Sequence, residues 1–320
     1  MDLGLALPQF DFSVPGETPL SWSSVVSWAQ GAESAGFDAV WLADHVFWSI
    51  EKYGGPEGTS SAFDPVVALG GLARATSRVR LGTLVLCAPL RPPAVAAKAM
   101  ATVDLLSGGR VEVGLGAGWY EPEFRAAGIA FESPGRRLAH LAEAVEVFKA
   151  MFEGGAGQAP CNPRPAQRPR PPVFVGGRGD RLLELVARHA DGWNTGWVMA
   201  PDAYRARIEV LERACERVGR DPATVERTLN LYALVGEDEA DLRRRYERLR
   251  RLAPPGVVDH VSLEQWRTGR LVGTVEQVAE QLAGWSELGV AQVVACLGAL
   301  PFAVTDVDDL SLLATANKGA

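Results

Sequence analysis

Residues 109–124 read GRVEVGLGAGWYEPEF. Val111, Val113 and Leu115 alternate with Glu112, Gly114 and Gly116, the period-two pattern of a short strand that ends in glycines. In Gly116-Ala117-Gly118 no bulky side chain keeps a ligand off the backbone. Glycine can take positive φ, so successive N–H groups there can turn toward one point as an anion-binding concavity. Trp119 and Tyr120 follow at once and set a flat apolar surface beside it. A phosphate cradle next to an aromatic wall suits a cofactor with a phosphorylated tail and a planar ring, although a tight turn needing small residues fits the same letters. A dinucleotide fingerprint fits less well, because Trp119 or Glu121 stands where the third glycine of GxGxxG belongs.

Outward from this stretch the same strand-then-helix unit recurs. Apolar runs at Leu3–Leu7, Asp38–Asp44 and Val79–Cys87 precede it, and Val173–Val175, Asp191–Asn194, Thr228–Val235 and Val290–Leu297 follow. Helical spacing fills the intervals, as in Trp22, Val25, Val26, Ala29 and Ala32, with Ser21 as cap and Gly36 as stop. Near-continuous apolar strands between helices belong to a parallel sheet covered by helices. Eight such units in 320 residues predict a closed (β/α)8 TIM barrel, an α/β fold forming a single domain over residues 1–320. An open doubly wound sheet is the alternative. Irregular insertions are expected at about 45–62, 153–172 and 253–270, on the C-terminal face, with a short tail after the last strand.

Hydrophobic residues make up 47% of the chain and charged ones 22%, enough for a sizeable core, and the net charge of −7 argues against nucleic acid. The basic run at 243–251 is expected to be a solvated helix face with Asp241–Arg245 and Glu247–Arg251 pairs. Four scattered cysteines form no CxxC and meet no histidine pattern, so reduced thiols are expected and a metal site is not. With no signal-peptide pattern and no apolar run of membrane length, the expectation is a cytoplasmic protein without membrane contact. The absence of GxSxG, a Walker lysine loop and HExxH disfavours hydrolase, NTPase and zincin chemistry.

In a parallel barrel the chemistry gathers where strands end at their carboxyl side. The candidates are Gln9, Asp44, His45, the stretch from Thr83 to Cys87, Gly116 to Tyr120, Gly176, Gly177, Arg178, Gly179, and Trp193-Asn194. The second glycine turn leads into a helix N-terminus, where free N–H groups and the dipole favour a phosphate. His45 is the one histidine of four at an expected strand end, placed to move a proton or donate a hydrogen bond, or else held structurally by Asp44. Asp44, Asp64 and Glu121 are the nearest candidate carboxylates.

The order LGLALPQF, AESAGFDAVWLADH, SRVRLGTLV, the long block ending GLGAGWYEPEFRAAGI, PPVFVGGRGDRLLELVARHADGWN and GTVEQVAEQLAGWSELGV resembles the bacterial luciferase-like oxidoreductases over residues 3 to about 297. GLGAGWYEPEF points within them to the branch that uses the deazaflavin coenzyme F420. The resemblance implies that His45, as the catalytic residue, and Asp44 face the cofactor ring. It also implies a bulge after Thr83 at Leu84-Val85, often with a cis non-proline peptide, that backs the ring. Gly116, Ala117 and Gly118, with Gly176, Gly177, Arg178 and Gly179, then hold the phosphorylated tail, and Arg91 and Arg181 add positive charge at the mouth. Gln9, Trp48, Trp119, Tyr120 and Trp193 line the substrate pocket. Hydride transfer between the deazaflavin C5 and a small organic or natural-product substrate is the implied activity. An FMN-dependent monooxygenase is the alternative, a non-catalytic barrel partner a third reading, and a homodimer is allowed. Trp119 stands where sugar-phosphate dehydrogenases of the family carry a glutamate, which argues against sugar-phosphate oxidation.

Overall fold

The computed structural model describes residues 1–154 and 161–320, so 155–160, within the insertion expected at 153–172, lie outside the described residues. Eight strands run parallel: β1 (Asp2–Ala6), β2 (Ala39–Leu42), β3 (Arg80–Thr83, resumed at Leu86–Cys87), β4 (Val111–Gly116), β5 (Val173–Gly176), β6 (Gly192–Trp197), β7 (Glu226–Gly236) and β8 (Gln292–Cys296). Each pairs with its successor, from Leu5↔Val40 between β1 and β2 to Leu229↔Val293 between β7 and β8. The register Leu3↔Val293 joins β1 to β8 and closes the barrel, which excludes the open sheet.

Helices cover the outside: α1 (Trp22–Ala35), α2 (Pro65–Ala75), α3 (Pro93–Ser107), α4 (Glu121–Ala126), α5 (Pro134–Glu153), α6 (Asp180–His189), α7 (Pro201–Arg217), α8 (Glu239–Leu252), α9 (Leu263–Arg267), α10 (Val275–Glu287) and α11 (Asp308–Lys318). Their limits follow local chemistry. Ser21 accepts from the Ser24 N–H to start α1, Gly36 stops it at φ 99°, and Asp64 before Pro65 caps α2. Apolar side chains between strands and helices form the main core, among them Leu5, Leu81, Val113, Phe148 and Leu229, each at most 1% exposed. Inside the barrel Trp41 acts as a plug. Its ring lies where a Cβ on Gly82 would stand, 2.1 Å from Cε3, so the strand beside it carries glycine.

Some elements differ from expectation. Leu271–Thr274 is a strand pairing with the upper half of the long β7 (Ala233↔Leu271), Phe47–Trp48 pairs antiparallel with Ser60–Ser61, and the tail carries α11. The segment 161–172 lies at the amino end of the barrel, not at the C-terminal face. It leads into β5 from below, where Asp104 accepts from the N–H groups of Ala166 (2.7 Å) and Gln167 (2.9 Å). The 253–270 segment does reach the upper face. There Gly256 passes so close to Gly54 that a Cβ on Gly54 would lie 2.6 Å from the Gly256 carbonyl.

The basic helix face is more than a solvated surface. Arg245 bonds Asp241 (2.7 Å) and also buried Asp309 on α11 (2.9 Å), while Glu247 pairs with Arg250 rather than Arg251. All four cysteines are free and buried. Among the described residues no helix is long and apolar enough to cross a membrane.

Candidate active site at the mouth of the barrel

A cavity of about 370 Å³ opens where β2 to β7 end, within the size range of small-molecule sites. Its floor is the Leu84–Val85 step, which interrupts β3 with a cis peptide. The Val85 side chain lies among three glycines on neighbouring strands. A Cβ on Gly114, Gly116 or Gly176 would come within 2.9, 2.5 or 2.9 Å of its methyl groups. The absence of side chains at 116 and 176 therefore makes room for the floor residue.

On one wall stands His45, just past β2. Its Nδ1 lies 3.1 and 3.3 Å from the two carboxylate oxygens of Glu123 on α4, and the Val46 N–H donates to the same carboxylate at 3.1 Å. Glu123 is 1% exposed. A buried carboxylate facing Nδ1 favours a proton there and leaves Nε2 as the nitrogen free for another partner. Trp48 stacks on the imidazole at 4.8 Å and 22°, and Trp119 meets it edge-on at 5.8 Å. His45 is thus fixed by one charge-assisted contact and two aromatic ones.

Asp44 points inward beside it and accepts from the Cys87 N–H at 2.9 Å. Arg91 bridges Asp44 to Asp64, bonding the latter at 2.6 Å, so these carboxylates share one guanidinium. Burial pushes the Cys87 thiol well up, with Asp44 and Glu123 adding to the effect, which keeps it an unreactive thiol. Across the cavity, Asn194 and Asn230 exchange amide bonds at 2.9 and 3.1 Å, and Asn194 also donates to Thr228 at 2.7 Å. The backbone of Thr195 borders the same side, while its side chain is 3% exposed and its hydroxyl is buried without a partner among the described residues.

Asp44, His45, Trp48, Leu84, Val85, Gly116, Gly118, Trp119, Gly176, Gly177 and Arg178 all reach this cavity. Other expected residues serve the frame around it. The Thr83 hydroxyl ties β3 to β4 through both polar groups of Gly114 at 2.9 Å. Gln9 binds Ala43 and Phe63 through its amide, and Ala117 packs into the outer core. Gly179 precedes α6 as its cap residue, outside the lining. Tyr120 stands behind His45, 6.4 Å away and edge-on, without reaching the wall. Trp193 faces out of the barrel, fully buried, stacked on Tyr204 at 5.5 Å and bonded to the Gly177 carbonyl at 2.8 Å.

Arg91 is engaged by carboxylates, and Arg181 belongs to a separate outer groove beside Gly135. Residues that sequence reading passed over include Lys52, Tyr53, Glu123, Thr195, Trp197, Asn230 and Phe302. Strand alternation held a signal for one pair: neighbours on β6 face opposite ways, so an outward Trp193 requires an inward Asn194. Of the three carboxylates named, Asp44 lines the cavity and Asp64 shares Arg91 with it, while Glu121 pairs with Arg125 at the surface and Glu123 takes its place at the site.

The family model described as luciferase-like monooxygenase matches residues 1–292. The chain belongs to this family. It is 30% identical over 304 residues to the F420-dependent hydroxymycolic acid dehydrogenase of Mycobacterium tuberculosis, covering 89% of this chain and 79% of that one. It is 32% identical over 228 residues to the F420-dependent glucose-6-phosphate dehydrogenase of Kineococcus radiotolerans, covering 68% and 65%. In fold it is similar to an F420-dependent secondary alcohol dehydrogenase solved with an F420–acetone adduct, with a TM-score of 0.75 at 20% identity over 99% of this chain and 98% of the other. The tetrahydromethanopterin reductase of Methanopyrus kandleri is similar at a TM-score of 0.74 and 18% identity, covering 98% and 97%.

Proposed function

We propose that this chain is an F420-dependent oxidoreductase acting on a small organic substrate at the mouth of the barrel. The observation that carries the reading is His45, held through Nδ1 by buried Glu123 and flanked by Trp48 and Trp119, above a floor built for a flat group. Kinship with the F420-dependent relatives supports the choice of deazaflavin over FMN.

The residues present fit such a cofactor. Gly118 and Gly177, both at positive φ, bring bare backbone to the cavity wall, which suits a phosphorylated tail. Gly177 and Arg178 stand just before the N-terminus of α6, where backbone dipoles favour a phosphate. When bound, the deazaflavin supplies the C5 carbon that accepts or releases a hydride. Leu84 and Val85 would supply the apolar surface for its ring, and Asp44, fixed by Arg91, would hold a polar group beside it. His45 keeps Nε2 free toward the cavity to hold or move the proton of a substrate hydroxyl or carbonyl. The indoles of Trp48 and Trp119 limit water around that nitrogen.

Titration of the purified chain with F420 and with FMN tests the proposal. Saturable F420 binding is expected at or below tens of micromolar (on the order of −7 kcal/mol) with weaker FMN binding. No saturation by F420 in that range refutes it. The same reading extends to a homodimer through the early helices, where Val67 on α2 and Val95 on α3 are 76% and 63% exposed. Light scattering of the purified chain checks the mass.

A further inference from the structure

Of the charged groups around the cavity, most already have partners. Asp44 meets Arg91, Glu123 meets His45 and Val46, and Arg178 donates to the carbonyls of Gly196 and Val198. Lys52 is different. Its Nζ lies 3.3 Å from the centre of the Trp119 ring, 4.8 Å from Tyr53 and 5.4 Å from Trp48, and among the described residues no carboxylate comes within 4.0 Å of it. The adjacent carboxylate is turned away: Glu51 accepts from the Ser49 hydroxyl at 2.8 Å and the Gly58 N–H at 3.3 Å.

An ammonium among rings gains cation–π attraction of about 0.5–2 kcal/mol but gives up water that would otherwise solvate it. That desolvation lowers the Lys52 pKa to about 8 even though the residue as a whole is exposed. An anion at the cavity mouth would restore what the rings do not supply.

We propose that the substrate of this site carries a carboxylate that pairs with Lys52, its apolar body lying against Trp48, Trp119 and Phe302. One flexible ammonium is a point charge and suits a singly charged carboxylate. A phosphate would call for additional donors around the lysine. The inference rests on the oxidoreductase reading of the cavity, and it specifies the class of substrate.

Calorimetric titration of the F420-loaded full chain with 2-naphthoate and its neutral counterpart 2-naphthamide tests this. Wild type is expected to bind the acid at least about tenfold more tightly, which corresponds to about 1.4 kcal/mol. Lys52→Met should abolish that preference and Lys52→Arg should keep most of it. Equal affinities in wild type, an unchanged preference in Lys52→Met, or no saturable naphthoate binding up to about 10 mM overturns the assignment. F420 binding is measured separately on each variant. Failure of the wild type to bind F420, with the naphthoate preference intact in the unloaded chain, sinks the cofactor reading and supports the role of Lys52, whereas loss of F420 binding only in Lys52→Met assigns Lys52 to the cofactor and overturns the proposal.

Discussion

Replacing Glu123 tests the arrangement around His45 without knowledge of the substrate. The carboxylate accepts from His45 Nδ1 and from the Val46 N–H while 1% exposed. Glu123→Ala leaves both donors without an acceptor. The imidazole side chain is only 10% exposed, so its unsatisfied N–H costs about 1–3 kcal/mol. Val46 as a residue is 51% exposed and its N–H bond is only part-buried, so water can take over more readily there and the added loss is smaller. At about 2–4 °C per kcal/mol for domains somewhat smaller than this one, the midpoint of thermal unfolding should fall by roughly 2–12 °C.

Glu123→Gln separates orientation from packing. Its single amide oxygen can satisfy one donor, while its NH2 group meets the other position as a donor. If Val46 takes the oxygen, the amide presents a proton to Nδ1 and favours the opposite imidazole tautomer. Long-range ¹H–¹⁵N NMR of histidine-labelled protein, with His45 assigned from His45→Asn, reads this directly. Nδ1–H is expected in wild type and Nε2–H in Glu123→Gln. The same tautomer in both proteins, with an alanine variant melting within about 1 °C of wild type, would refute the reasoning.

Three further outcomes are expected. Glu112 is pushed by burial from 4.5 to about 7 beside Arg80, and Asp309 from 3.8 to about 7 beside Arg245. A carboxyl that binds its proton more tightly when folded contributes stability that is complete below its unfolded pKa and lost as pH rises through the folded one. Thermal midpoints should therefore be lower at pH 8 than at pH 6, with Glu112→Gln showing a flatter profile; equal midpoints in wild type contradict the assignment. Gly54→Ala combines a φ of 85° with a Cβ 2.6 Å from the Gly256 carbonyl. It should cost at least about 1–2 kcal/mol from the backbone alone and alter tryptophan emission from the neighbouring loop, an expectation checked by denaturant titration. Trp193→Phe should lower stability by about 1–2 kcal/mol yet leave F420 affinity within about twofold, because its indole lies outside the cavity; a larger loss of binding returns Trp193 to the site.

The barrel was legible because its signal is repetitive. Each buried strand is an apolar run bracketed by turn residues, and several covering helices announce their start with a capping side chain, as Ser21, Asp64, Ser133 and Asp238 do for α1, α2, α5 and α8. Leu271–Thr274 escaped because it is a four-residue strand on an extension of β7, bounded by Arg270 and by the residue that caps α10. The tail helix lacks a side-chain cap and begins in acidic residues, so its packing against α10 and α1 is a tertiary matter. At the site, His45 and the glycine corners were readable from their place at strand ends. Glu123 was not, since choosing it over Glu121 requires knowing how a six-residue helix is rotated. Lys52 and Phe302 come from loops whose courses are set by contacts distant in sequence. Trp193 misled because aromatic character suggests a pocket wall, whereas strand alternation decides which face it occupies.

Val85 has a consequence for how deep a ligand can sit. Its neighbours across the floor already have no side chains to trim, and their backbones belong to paired strands that cannot retreat. The level of the floor is thus governed from a single position, like a spacer under a plate. Shortening the spacer would let a flat ring sink toward the plug formed by Trp41, and lengthening it would lift the ring toward His45. Tuning the distance between a ring and its proton-handling neighbour would then need no change in either of them.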